Sequence, residues 1–306
     1  MGFKNRFSII ATQNWNLMKT YISLTTVTFL LLTVTLILPI QSAHCQIREK
    51  IKGSKKISLS QKTVDEFDAI EIDDNLEVFL IKGNESTLEI EADDNLLPII
   101  ECTVVNKKLT IHTTKEITGY KKLIVRVTYT DILKLIIAKH DANITAIADL
   151  NLDNLSVQGF DYARLHINVR CKNFNLLAND KSKTELNLKA DKAIMNLSKN
   201  AEVTALVAAL DLKLDIYQKA NASIEGDVTD FRLRLDNFTQ FTGKNFSCKN
   251  AEIITEANTF CSILVQQKAT LELSGKSEIE LFGEPKIELK RFADQAILRK
   301  KPLVAK

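Results

Sequence analysis

From Val64 onward the chain alternates apolar and polar residues with a period of two. Phe67, Ile70 and Ile72 are followed by Leu76, Val78 and Leu80, and then by Leu88, Ile90 and Ala92. Such alternation is the pattern of a strand with one buried face. Polar clusters interrupt it at Asp73-Asp74-Asn75, Lys82-Gly83-Asn84 and Asp93-Asp94-Asn95, and each reads as a turn. The segment from Asn95 to Ile100, broken by Pro98, reads as a bend or a helical turn. Leu109 and Ile111, then Leu123, Val125 and Val127, resume the strand pattern, and no amphipathic helix is expected after the leader.

Beyond about Leu133 the pattern repeats itself. A small residue is followed two positions later by a bulky one, as in Ala142/Ile144, Ala163/Leu165, Thr184/Leu186, Ala201/Val203, Ala222/Ile224, Thr239/Phe241, Cys261/Ile263 and Ser277/Ile279. The small positions step by 21, 21, 17, 21, 17, 22 and 16 residues, a mean of about 19. Each unit reads as strand, polar turn, strand, polar turn. A unit this short cannot bury its own apolar face, but stacked units can, with strand edges pairing between coils. The small residues then form one column at a tight corner, and Asn and Asp in the turns suit left-handed backbone. An antiparallel sandwich is the competing fold. It would want Asn-Gly or Asp-Gly hairpins, and the chain has neither dipeptide. The expected fold is therefore all-β: a right-handed parallel β-solenoid, β-helix-like, with coils of about 20 residues, preceded by N-terminal strands.

The first residues carry a different signal. Met18-Lys19-Thr20 opens an apolar run from Tyr21 to Ile40, closed by Pro39 and by Ser42-Ala43-His44-Cys45. Ala43 and Cys45 suit the −3 and −1 positions of signal peptidase, placing cleavage between Cys45 and Gln46. The run is also long enough for a membrane anchor, and this uncleaved leader is the only membrane contact expected. A lipid-anchored Cys45 is disfavoured by His44 and Ser42, and Met18 is an alternative start. The expected organisation is a signal peptide over 1–45, a linker over 46–63, a solenoid domain over 64–282 (N-terminal strands 64–130, repeated coils 131–282) and a basic tail over 283–306.

Composition narrows the function classes. The chain carries 41 Lys and Arg against 38 Asp and Glu. Residues 1–45 hold Lys4, Arg6 and Lys19 and no acid, so the exported chain is close to neutral. A basic footprint for nucleic acid is absent, and no nucleic-acid partner is expected. Four cysteines remain, at 102, 171, 248 and 261, with no metal-binding spacing. Cys171 and Cys248 fall four coils apart in the proposed register, about 19 Å at the spacing of stacked strands, beyond the reach of a disulfide. His112, His140 and His166 are not spaced as metal ligands, and no cofactor or metal is expected. Nucleophile elbows, P-loops, zinc-protease and dinucleotide motifs are absent. The sequons, such as Asn143 and Asn221, follow from a turn composition rich in Asn and Thr.

The stretch from Phe67 to Gly83, FDAIEIDDNLEVFLIKG, followed by Leu88 to Leu97, LEIEADDNLL, resembles the opening of the auto-transporter adhesin head, or GIN, domain family. Lys107 to Ile111 and Leu123 to Val127 resemble its next strands, so the likeness runs from Val64 to Phe282. Asp73-Asp74 departs from it, since such proteins usually carry Gly there. The resemblance implies an exported β-solenoid of a Gram-negative cell envelope, and its family name implies adhesion. An auto-transporter also needs a membrane barrel or trimeric anchor, which residues 283–306 are too short and basic to supply. The functional expectation is a non-enzymatic module with an envelope protein or glycan as partner. The alternative is a β-helix enzyme acting on polysaccharide. Asp141, Asp161 and Asp180 fall in successive turns and would supply its carboxylates. The aromatics for sugar stacking would be Phe160, Tyr162, Tyr217 and Phe238.

Overall fold

The computed structural model describes residues 48–302, which hold one short 3-10 turn, Leu97–Ile99, and otherwise only strands and loops. The leader, the Cys45/Gln46 junction and Met18 lie outside the described residues. The chain forms a β-solenoid of about nine turns with coils of about 19 residues, preceded by N-terminal strands.

The N-terminal strands are β1 (Lys50–Lys52), β2 (Ile57–Thr63), β3 (Ala69–Ile72), β4 (Glu77–Lys82), β5 (Thr87–Asp93), β6 (Ile100–Val105), β7 (Lys108–Thr113), β8 (Glu116–Thr118) and β9 (Leu123–Tyr129). Their order in space differs from their order in sequence. β3 lies parallel between β7 and β10 (Leu135–Ala138), and β4 lies parallel between β9 and β11 (Asn143–Ala146). The coil made of β3 and β4 is thus sandwiched by chain that follows it. Beyond β9 come β5 and then β2, and beyond β7 comes β6, all antiparallel. These strands, each antiparallel to the one it pairs with, make up the first end of the stack.

The expected linker is therefore largely strand. β1 pairs with β8, and β2 pairs along its whole length with β5. Ile57, Leu59 and Gln61 lie on one face and the half-buried Ser58 and Ser60 on the other, a signal too short and too polar to stand out in the sequence. The carboxylate of Asp93 clasps this cap. It accepts N–H bonds from Lys55 at 2.9 Å, Lys121 at 3.1 Å and Lys122 at 3.1 Å, and it is fully buried. Gly53 makes room for it, since a Cβ there would lie 2.2 Å from Asp93 Oδ2. Burial opposes the charged form, but the three N–H donors prevail and hold the Asp93 pKa below its ordinary 3.8. A depressed carboxylate pKa contributes stability that is present above the unfolded value and lost as pH falls through the folded one. Asp93→Asn should therefore speed amide exchange in residues 57–63 at neutral pH, and the gap to the parent should close below pH 3.8. Equal exchange in both proteins at neutral pH would show that the clasp contributes nothing.

The repeated coils include β10 and β11, run through β12 (Leu150–Asn151) and β13 (Asn154–Gly159) and continue as β14 (Arg164–Ala178), β15 (Lys183–Leu197), β16 (Glu202–Tyr217), β17 (Asn221–Asp236), β18 (Gln240–Thr255) and β19 (Phe260–Leu273). Each long strand covers two faces. In β14 the buried positions are Leu165, Ile167 and Val169, then Phe174, Leu176 and Ala178, so inward parity flips from odd to even across Cys171–Asn173. From β14 to β19 each coil therefore has one polar turn and one corner that the strand rounds unbroken, where two turns were expected.

The turn repeats with a fixed backbone. His140, Asp161, Asp180, Lys199, Gln218 and Asn237 have φ between 50° and 62°, and each lies one coil from the next. The small-residue column lies just after it and needs correction. The register places Ala142, Ala163, Ala201, Thr239 and Ser277 in one column, together with Ser182, Ala220 and Thr259. Thr184, Ala222 and Cys261 occupy the adjacent inward column, two residues on, beside Leu165 and Val203. Both columns carry small side chains, so the sequence pattern hopped between them. From Ala163 on, the steps of 21 and 17 are that hop, and within the true column the spacing from Ala163 to Thr239 is a uniform 19.

The expected basic tail is also folded. β20 (Glu278–Phe282) continues one face, and β21 (Lys286–Phe292) and β22 (Ile297–Lys301) lay down a further coil on β19 and β20. Its alternation, Ile287-x-Leu289 and Leu298, is masked in the sequence by Lys and Arg at most other positions.

Candidate functional site

Outward side chains on the first face of the coils form rows across the strands. One row is Asn168, Asn187 and Leu206, and two residues on lies a second: Arg170, Lys189, Ala208 and Asp227. Successive members sit about 4.8 Å apart, the spacing of paired strands. Between the rows runs a groove of about 320 Å³, floored by the backbone of Val169, Leu188, Val207 and Gly226. Asp149 closes one end, held by Arg170 Nε at 2.6 Å. A second trough lies alongside, between the Asn168–Asn187 row and the row of His166, Glu185 and Thr204. His166 Nδ1 lies 3.1 Å from Glu185 Oε2. The groove thus offers amides, cations and carboxylates at coil spacing, with Leu206 and Ala208 as an apolar strip. Of these residues only His166 stood out in the sequence, as one of three histidines not spaced as metal ligands. The available signal was the 19-residue recurrence of Asn168 and Asn187 at outward positions.

The expected carboxylate column is not formed as proposed. Asp161 and Asp180 do occupy equivalent turn positions in adjacent coils, but the equivalent residue in the preceding coil is His140. Asp141 aligns instead with Tyr162 and Lys181. The reason is the longer step of that coil, 21 residues against 19, with Ile147–Asp149 looping outward. Asp161 and Asp180 also have partners. Asp161 Oδ2 accepts from the His140 N–H at 3.1 Å, and Asp180 Oδ1 pairs with Lys199 Nζ at 2.6 Å. Of the aromatics, Tyr162 lies under Lys181, whose Nζ is 4.9 Å from the ring centre, and Phe238 sits in a turn. Neither lines the groove.

Asp73, Asp74 and His140 bring three potential ligand atoms within 4.8 Å of one another. Each already has a partner. His140 Nδ1 meets the Asp73 carboxylate, Arg48 pairs with Asp74, and Asp74 Oδ2 accepts from Thr113 N at 2.8 Å and Thr113 Oγ1 at 2.9 Å. The Asp73 hydrogen bond raises the His140 pKa above 6.5, with Asp161 and Asp74 adding to it. Burial resists the Asp74 charge, yet Thr113 and Arg48 hold its pKa low. The cluster ties neighbouring turns together.

Cys171 and Cys248 lie four coils apart through Ala190, Ala209 and Val228. Burial pushes the Cys171 thiol up to about 11 and the Cys248 thiol up to about 12. Such thiols are poor nucleophiles at neutral pH.

A flat-sided parallel β-solenoid, capped by antiparallel strands and grooved along one flank, is the class this molecule falls in. Its sequence matches the family described as "Putative auto-transporter adhesin, head GIN domain" over residues 66–285, and the chain belongs to that family. Among curated proteins no sequence match is found. Two solved structures of similar fold are a "putative adhesin" from Parabacteroides merdae and another from Parabacteroides distasonis. The first is 18% identical with a TM-score of 0.59, covering 83% of this chain and 100% of its own. The second is 17% identical with a TM-score of 0.57, covering 82% and 99%. A "putative lipid binding protein" from Parabacteroides distasonis, 11% identical, has a TM-score of 0.53 and covers 82% and 100%. At these identities the likeness is one of fold. Among the described residues no helix is long and apolar enough to cross a membrane.

Proposed function

We propose that this chain is a non-enzymatic, exported module of the cell envelope that holds an extended surface glycan along its grooved flank. The observation that carries the reading is the pair of rows Asn168–Asn187 and Arg170–Lys189, which repeat hydrogen-bonding groups at the coil spacing. A polymer of hydroxyl-rich units can meet the same donors on successive coils, which suits the repetitive flank of a solenoid. Leu206 and Ala208 offer an apolar strip for the faces of sugar rings. A lipid would want a deep apolar pocket, whereas this groove is open and rimmed by charge. The leader pattern and the family support export. The polysaccharide-enzyme alternative loses support because Asp161 and Asp180 are committed to the turns.

The test is affinity electrophoresis of the protein through gels cast with envelope polysaccharides, comparing the parent with Asn168→Ala/Asn187→Ala/Lys189→Ala. All three side chains point outward, so folding should be unchanged by circular dichroism. Loss of two or three hydrogen bonds, one to a cation, should weaken retention roughly ten-fold or more. Retention of a polysaccharide by the parent and the triple variant alike would show that the ligand lies elsewhere. Shortening of the polysaccharide would reinstate the enzyme.

A further inference from the structure

The two ends of the stack are finished differently. At the first end the sheets run out in strands paired antiparallel, β2 on β5 and β6 on β7. At the other end β21 pairs with β19 and β22 with β20, and among the described residues no strand covers their far edges. The core columns run on to this end. Ile287, Leu289 and Phe292 stand over Ala269, Leu271 and Leu273, which are fully buried, yet they are themselves 38%, 50% and 54% exposed. Unpaired backbone beside exposed apolar side chains is a template for one more strand.

Charge says what kind of strand. Residues 283–302 carry six cations, Lys286, Lys290, Arg291, Arg299, Lys300 and Lys301, against three carboxylates. The covered side of β22 shows how such cations are met. β20 reads Glu278-Ile-Glu280-Leu, with Arg299 paired to Glu278 and Lys301 to Glu280 at 3.0 Å. On the neighbouring face Lys268 of β19 pairs with Glu288 of β21 at 2.9 Å. A second copy of this chain would bring the same cations against themselves, which like charges across a strand pair oppose. We propose that the edge of β21 and β22 receives an extended strand of a partner protein in which acidic and apolar residues alternate. Main-chain bonds supply affinity and the alternating side chains supply register, as in other cases of strand addition. The acids lie over the Arg and Lys rows, and the apolar residues continue the columns of Leu289 and Leu298.

The experiment uses the full-length chain expressed in an exporting host. The probe is a fluorescent peptide repeating the sequence of Ser277–Phe282, SEIELF, and its control has both Glu replaced by Lys. The acidic peptide should bind saturably, at least ten-fold more tightly than the lysine peptide, and more weakly as salt is raised. Binding should slow amide exchange within residues 286–301. Leu289→Asp, at a half-exposed site, should lose at least ten-fold, and Lys290→Glu/Arg291→Glu should reverse the preference between the two peptides. Equal binding of both peptides, or protection elsewhere in the chain, overturns the proposal. So does a dimer in sedimentation whose amides at 286–301 are already protected and which Leu289→Asp dissociates, because a second copy is then the occupant.

Discussion

Gly226→Ala should destabilise the solenoid by several kcal/mol, although it adds a single methyl group. Gly226 has φ +105°, a conformation that L-residues avoid, and a Cβ built on it would lie 2.2 Å from the carbonyl oxygen of Val207 in the neighbouring coil. That oxygen belongs to the backbone floor of the groove and to a strand paired on both sides, so it cannot give way alone. The backbone strain is worth about 1–3 kcal/mol and forcing atoms into filled space about 1–3 kcal/mol. The stiffer unfolded chain of the alanine variant returns only about 0.4–1 kcal/mol. The measurement is urea denaturation of parent and variant, read by circular dichroism. A loss under about 1 kcal/mol would mean that β17 shifts freely against β16. If β17 did shift, the groove floor would move and retention on polysaccharide would fall with stability.

Residues 163–282 were legible as a solenoid because every coil repeats one chemical demand. Inward positions must be apolar, the turn must hold a left-handed residue, and the corner after it must be small. What stayed hidden was phase. Ser182 and Thr184 are both small and both inward, and periodicity alone gives no reason to prefer one as the start of a coil. The strand register supplies it, because each residue has one fixed partner in the neighbouring coil. The longer step of the preceding coil placed Asp141 where His140 belongs. The cap escaped for a different reason. β2 is exposed along one face and its partner β5 lies 30 residues on, so nothing local announces the pair. The groove is subtler still. Outward residues carry no packing constraint, and Asn168 and Asn187 become a row only after the register is known.

Phe231→Ala should cost about 3–5 kcal/mol, the usual range for emptying a buried aromatic site. The Phe231 ring packs against Phe241 at 5.4 Å and Phe246 at 4.9 Å between centroids, and Phe241 and Phe246 are 6.0 Å apart. The trio exists because its neighbours are small. Phe246 pairs with Gly226, Phe241 with Ala222, and a Cβ on Gly243 would lie 2.5 Å from the Phe241 ring. Three rings thus fill volume that two adjacent coils leave empty, and the bulge between Ser223 and Gly226 is the adjustment that admits them. Removing one ring leaves a cavity bounded by the other two, and neither can collapse into it without breaking the strand ladder. Because each coil of a solenoid is held mainly by its neighbours, the loss should fall on the interface of β17 and β18. Hydrogen exchange should then quicken in residues 221–255 while protection over β14 and β15 persists, and urea unfolding should split into two steps. A single transition lowered uniformly, with exchange raised equally from β14 to β19, would show that the coils unfold as one unit and that the aromatic trio is no local keystone.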